Sequence, residues 1–339
     1  MARTDTLGNF LTDVADAIKI KKGDDTPILA SEFDTEITNL PSGGSSPDWS
    51  AIGYNGEPKS FQEMFDHSKE IYDNWNNTII DLNSKFSRDK KLVWFPLVDT
   101  SNVKNMTSMF YYCTSLKEIP QFDTSNVTNM NYMFFNCTLL KEIPQFDTSK
   151  VTNMGSMFYN CTSLKEIPQF DTSKVTNMGS MFRYCESLEN VPQFDTSNVT
   201  TMSSMFANCT SLKEIPQFDT SNVTNMSSMF NTCTSLKEIP QFDTSNVTNM
   251  SSMFDTCTSL KEIPQFDTSN VTNMSYMFNN CNKLTDTSID NILQFCITSK
   301  IKNGTLKFLG FNSNNYPINR IKALPHYQDF LDAGWTIGY

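Results

Sequence analysis

The chain predicts an α/β repeat solenoid, a stack of coils that each hold one short helix and one short strand. Three observations carry this. Cysteines stand at Cys113, Cys137, Cys161, Cys185, Cys209, Cys233, Cys257 and Cys281, always 24 residues apart. Around them one unit returns: Phe122-Asp123-Thr124-Ser125-Asn126-Val127-Thr128-Asn129-Met130, then Met133-Phe134, Cys137 and Leu140-Lys141-Glu142-Ile143-Pro144. The segment just ahead of these units repeats part of the unit without its cysteine, as the leading cover of a stack should. A fixed period of this length means that each unit packs on its neighbours alone. One unit buries too few apolar side chains to offset the ordering of its own backbone, so copies must stack.

Five segments follow from composition. Residues 1–40 form a small helical segment: Phe10, Leu11, Val14, Ala17 and Ile18 have helical spacing, and Ile28, Phe33, Ile37 and Leu40 mark a second short helix after Pro27. This segment is too small to own a core and must dock on something else. Residues 41–48, with Pro41-Ser42-Gly43-Gly44-Ser45-Ser46-Pro47, read as a flexible linker. Residues 49–98 are the leading cap. Phe61, Met64, Phe65, Ile71, Tyr72 and Trp75 suggest capping helices there, and Ser84-Lys85-Phe86-Ser87 with Lys91 to Pro96 matches the unit in register. Asp89 takes the cysteine's place, which suits a wet outer face. Residues 99–284 hold the eight repeats of 24 residues. Residues 285–339 are the trailing cap, with a helix over Ile289 to Cys296, a strand over Leu306 to Phe311 and a tail that folds back.

Within one repeat, Val127, Met130, Met133 and Phe134 lie at i, i+3, i+6 and i+7, the stripe of a short helix. Asp123, Thr124 and Ser125 precede it as capping residues. Leu140 to Ile143 reads as the extended segment, closed by Pro144.

Charge and residue types then exclude function classes. Lys and Arg number 26 against 37 Asp and Glu, a net charge of −11. A nucleic-acid partner would require a basic face. No apolar run is long enough to span a membrane, and residues 1–20 lack the apolar stretch of a signal peptide. Neither membrane insertion nor a standard secretion route is expected. The repeat cysteines and Cys296 read as small buried hydrophobes, with bridges between adjacent repeats as the alternative. No CxxC occurs, and His67 and His326 stand far apart, so no metal site is expected. No nucleophile–base pair or phosphate loop is found; the chain reads as non-enzymatic, without cofactor.

The unit Phe-Asp-Thr-Ser-Asn-Val-Thr-Asn-Met-Ser-Ser-Met-Phe-x-x-Cys-Thr-Ser-Leu resembles the BspA-type leucine-rich repeat, over residues 99–284. That resemblance implies a leucine-rich-repeat coil and a surface role in adhesion. A second resemblance covers residues 7–40. Leu7 to Ile18, then Pro27-Ile28-Leu29-Ala30-Ser31-Glu32-Phe33, is similar to the N-terminal segment of many bacteriophage structural proteins of tails and virion appendages. It implies attachment to other virion structural proteins through Phe10, Leu11, Val14, Ile18, Ile28, Phe33 and Ile37. It also accounts for the missing export signal, since a virion protein leaves by lysis. Together the two imply a phage virion protein at the virion surface, on the tail or an appendage, that presents a leucine-rich-repeat surface for host attachment and forms a homo-oligomer. A head fibre or capsid decoration protein and a bacterial surface adhesin are the alternatives.

Comparison among the eight units locates the candidate contact surface. The two residues before each cysteine vary most, and the position of Ser108, Tyr132 and Tyr276 varies next. Such positions should be exposed. Tyr111, Tyr112, Tyr132, Phe135, Tyr159, Arg183 and Tyr184 cluster in the first four units. Aromatic and arginine enrichment is how binding hot spots look, and flat rings suit sugars, so a ridge for host surface glycan or protein is expected; tolerated surface decoration is the plain alternative. Lys117, Lys141, Lys165, Lys213, Lys237 and Lys261 form one charge column and Glu118, Glu142, Glu166, Glu214, Glu238 and Glu262 another. They read as a solvated face that discourages strand aggregation, or as a docking strip. The column from Asp99 to Asp267 reads as capping residues rather than a calcium ladder, which would want about six to eight oxygens per ion. Thermal unfolding is therefore expected to be the same with and without a chelator such as EDTA; a lowered Tm in EDTA would restore the calcium ladder.

Overall fold

Each coil uses its amides in two alternating ways. In the second coil the N–H groups of Met130, Tyr132, Phe134 and Asn136 donate to the carbonyls of Asn153, Gly155, Met157 and Tyr159 of the next coil, at 3.1, 3.1, 2.9 and 2.7 Å. The intervening N–H groups of Met133, Phe135 and Cys137 turn back three residues, to the carbonyls of Met130, Tyr132 and Phe134. The pattern recurs from coil to coil in the computed structural model, which describes residues 67, 68, 70–76 and 78–338. The proposed attachment residues Phe10, Leu11, Val14, Ile18, Ile28, Phe33 and Ile37 lie outside the described residues, as do Phe61, Met64 and Phe65.

The repeat solenoid stands, with parallel bridges that join equivalent residues one period apart, such as Asn105 to Asn129 and Asn129 to Asn153. Its local conformation differs from the expectation. The stripe Val127, Met130, Met133 and Phe134 is buried, but it lies on a chain of tight turns, not on a helix. The reason is backbone handedness. Tyr132 and Asn136 have φ of 57° and 63°, and the equivalent residues of every coil are left-handed too. An α-helix spends its amides on itself; left-handed residues four apart break it and free alternate amides for the neighbouring coil.

The extended segment is also weaker than expected. Backbone bonds between coils there are few, such as Lys117 N–H to Val93 at 2.8 Å and Lys261 N–H to Lys237 at 2.9 Å. No strand longer than a single bridge occurs among the described residues. The prolines that close these segments lack an N–H and end the pairing.

Side chains supply further ladders. Asp123 and Asn129 do not cap a helix; their Oδ1 atoms accept from the N–H of Ser125 and Asn131, at 2.8 and 3.0 Å, and close Asx turns. In the same turns the Ser197 and Ser245 hydroxyls, then their amides, hold the Asp195 and Asp243 carboxyls below the ordinary value. Buried Thr124 donates to the Asp147 carbonyl at 2.8 Å, and the Gln169 amide to the Gln193 carbonyl at 2.8 Å. The interior is filled by two phenylalanine columns and the methionines between them. Phe134, Phe158 and Phe182 stack at 5.7 Å with planes 4° apart.

At the leading end, residues 81–98 continue the stack. Ser84 and Arg88 are left-handed, at φ 56° and 63°, and Phe86 stacks on Phe110 at 5.9 Å. Asp89 does not face water freely. Its Oδ1 accepts from the Lys91 amide and its Oδ2 lies 2.6 Å from His67 Nε2, which fastens the segment ahead of the coils. Trp75 packs against Phe95 and donates from Nε1 to the Asp99 carbonyl at 2.7 Å.

At the trailing end, helix α1 (Asp286–Thr298) lays Ile289, Ile292, Leu293, Phe295 and Cys296 over the last coil. Thr285 caps it by accepting from the Ser288 amide. The segment expected as a strand is instead a 3-10 turn, Leu306–Leu309, capped by Thr305 and ended by Gly310 at φ 94°. Two short helices follow, α2 (Ile318–Lys322) and α3 (Tyr327–Asp332). The tail folds back as expected. Thr336 N–H donates to Gly304, and Leu306 N–H to Thr336, at 3.1 and 2.9 Å. Trp335 is buried, and a Cβ on Gly304 would stand 2.3 Å from its ring.

Left-handed backbone is costly for a β-branched residue. Thr232, at φ 62°, occupies a column that holds asparagine in four other coils, at Asn136, Asn160, Asn208 and Asn280. Thr232→Asn is expected to stabilise the chain by about 1 kcal/mol and Thr232→Val to destabilise it. Thermal unfolding of the two variants against wild type checks the order.

Candidate binding ridge

The seven residues singled out for contact come together on one edge of the first four coils. Tyr111 lies 4.7 Å from Tyr112 and 4.9 Å from Phe135, centroid to centroid. Phe135 stacks on Tyr159 at 4.3 Å with planes 7° apart, and Tyr159 meets Tyr184 edge-on at 5.4 Å. Tyr132 stands across this pile, 5.7 Å from Phe135 and 85° to the plane of Tyr111. The Arg183 guanidinium lies over the rings of Tyr159 and Tyr184, 5.8 and 5.1 Å from their centroids.

The backbone explains which columns vary. The position directly before each cysteine, and the position of Ser108 and Tyr132, are the two left-handed positions of the coil. Their Asn, Ser, Tyr and Thr meet a conformational demand as well as facing outward. The expectation of exposure is only partly met. Tyr112 and Tyr132 are 38% and 39% exposed, but Tyr111, Phe135, Tyr159, Arg183 and Tyr184 are half-buried and Ala207 is buried. The reason is the ladder itself: this stretch of backbone is bonded to both neighbouring coils, so only a long side chain reaches the surface. Tyr111, Phe135 and Tyr159 also turn their faces to one another, so the pile offers ring edges rather than the flat faces expected for sugars.

Asn136 and Asn160 were not among the candidate contacts. Asn160 Nδ2 donates to Asn136 Oδ1 at 2.5 Å beside the stacked rings. Two asparagines one period apart in a variable column were the available signal. Tyr276, in the column of Tyr132, is 58% exposed but sits in the last coil, away from the ridge.

The other candidate groups are structural in their contacts. All nine cysteines are buried and unbridged. The Cys137 thiol donates to the Phe110 carbonyl of the preceding coil at 3.2 Å, and the remaining repeat cysteines do likewise. Burial pushes the Cys185 and Cys233 thiols up to about 12. In the lysine column, burial and then the charge of Lys141 lower Lys117, with Glu118 opposing. Where Glu189 interrupts that column it pairs with Lys213. A shallow hollow of 610 Å³ lies in the seventh and eighth coils, between Gln241 to Ser245, Gln265 to Asp267 and Thr298. Among the described residues no group of three or more His, Cys, Asp and Glu could hold a metal ion. No helix among them is long and apolar enough to cross a membrane.

Three overlapping segments, 59–191, 135–234 and 186–292, match the family described as Mycoplasma protein of unknown function, DUF285. Together they span more than half of the chain. The chain belongs to the DUF285 family. No curated protein matches it. Among solved structures it is similar to a leucine-rich cell surface protein from Faecalibacterium prausnitzii, at 20% identity over 58% of this chain and 76% of that one, with a TM-score of 0.24. It is also similar to an internalin from Listeria monocytogenes, at 15% identity over 85% and 86% of the two chains, with a TM-score of 0.27. For this DUF285 member the coil is established by its own in-register period.

Buried thiols with raised pKa remain protonated and unreactive. Ellman's reagent at pH 8 is expected to titrate none of the nine cysteines in the native protein and all nine in denaturant. Fast reaction of native thiols would contradict the inter-coil S–H bonds.

Proposed function

We propose that this protein is a non-enzymatic binding module whose aromatic ridge, on the leading four coils, attaches to a host-cell surface. The observation that carries the reading is the convergence of all seven aromatic and arginine candidates into one continuous ridge. Nothing in the stacking of the coils requires it, because the later coils fold with Ala207, Asn231 and Asp255 in the same column. A rigid stack suits this task, since it holds the ridge without loops to order on binding.

The carrier we propose is a phage virion, tail or appendage, with residues 1–40 as the attachment to other virion proteins and several copies per particle. The similarity of residues 7–40 to phage structural proteins supports it. A bacterial surface adhesin is the second reading, favoured by a family description that names Mycoplasma proteins.

Four replacements remove four of the five ridge tyrosines with residues the same columns already hold elsewhere: Tyr112→Asn, Tyr132→Ser, Tyr159→Asn and Tyr184→Asn. The combined variant is expected to fold with unchanged Tm and to lose adsorption to host cells by about ten-fold or more, as removal of hot-spot residues does. Unchanged adsorption discards the ridge. Gold-labelled antibody against the chain is expected on the virion tail; label confined to bacterial envelopes supports the adhesin instead.

A further inference from the structure

We infer that the ridge takes a carboxylate-bearing glycan, with Arg183 as the receptor for the acid. This rests on the binding role of the ridge and names its ligand class.

Arg183 is the one cation among the seven ridge residues, in a chain of net charge −11. Its guanidinium makes no ion pair and no hydrogen bond among the described residues, and its Nε is sealed from solvent without a partner. Exposed Glu186, three residues on, does not pair with it. The rings of Tyr159 and Tyr184 hold it by cation–π contact at 5.8 and 5.1 Å. Arg320, by contrast, lies over Tyr316 but also binds Asp286 at 2.6 Å. A guanidinium fixed in direction and left without an acid keeps its two terminal nitrogens, not the sealed Nε, for a bidentate carboxylate from outside.

The rest of the ridge asks for hydroxyl groups rather than apolar anchors. The phenol oxygens of Tyr111, Tyr112, Tyr132, Tyr159 and Tyr184 bond to no described residue. Tyr111, Phe135 and Tyr159 spend their faces on one another, so a partner meets edges and hydroxyls. A sugar that carries one acid satisfies both demands. A polyanion does not, because one cation cannot offset repulsion from a strongly acidic chain.

The test uses the full chain with 3′-sialyllactose and lactose as probes, titrated calorimetrically against wild type, Arg183→Gln and Arg183→Lys. Wild type is expected to bind sialyllactose about ten-fold or more tightly than lactose, the usual weight of a hydrogen-bonded charge. Arg183→Gln should abolish that preference, so that sialyllactose binds no more tightly than lactose to the same variant, and Arg183→Lys should restore part of it. Equal binding of the two sugars by wild type overturns the inference, and so does a preference that survives in Arg183→Gln. Tighter binding of a single-aspartate tetrapeptide overturns the ligand class. If wild type binds neither sugar while ridge variants still lose host adsorption, the acidic-glycan assignment fails and the attachment surface stands.

Discussion

Alternate amides in every coil point along the stack, and the architecture depends on this division of labour. In the turn segment the outward N–H groups reach carbonyls of the next coil and the inward ones close turns, while one threonine amide per coil, such as that of Thr128, reaches back to the coil before. Two left-handed residues per coil accompany the alternation. Each such residue is conformationally unfavourable alone, and it persists because the coils on either side determine it. A hydrogen bond contributes only about 1 kcal/mol net, but several backbone bonds per coil junction, together with threonine, glutamine and cysteine ladders, make each coil the template of the next. A buried S–H that donates to a neighbouring carbonyl also gives the cysteine column a role beyond filling space.

The same constraint shapes the surface. Where backbone is bound on both sides, a short side chain vanishes, as Ala207 does, and a long one lies along the stack. Aromatic residues in successive coils therefore pile on one another and form a ridge without any loop. Coils one to four carry it, while the later coils keep the same backbone with mostly small residues in these columns, Tyr276 excepted. Architecture and surface chemistry are thus separated: the interior columns hardly change, and the edge columns are free to differ.

Both ends are closed by contacts that the coils cannot supply. His67 with Asp89 fastens the leading segment, and α1 with the folded-back tail covers the trailing coil, where Trp335 fits only because Gly304 lacks a side chain. His326 meets Asp290 of α1 at 2.7 Å, so each of the two histidines ties an end to an aspartate.

The period, the inward apolar columns, the buried cysteines and the meeting of seven aromatic and arginine residues on one edge were legible in the sequence, because a strict repeat forces equivalent residues into equivalent places; their exposure was only partly so. The helix and strand inside the coil were misread for a physical reason. Spacing of apolar residues reports which side chains point inward, and a string of turns can satisfy the same spacing as a helix. Handedness at Tyr132 and Asn136 is decided by hydrogen bonds to the neighbouring coils, as is the solitary state of Arg183 by what packs around it. Such facts belong to contacts between units, and only the stacked structure contains them.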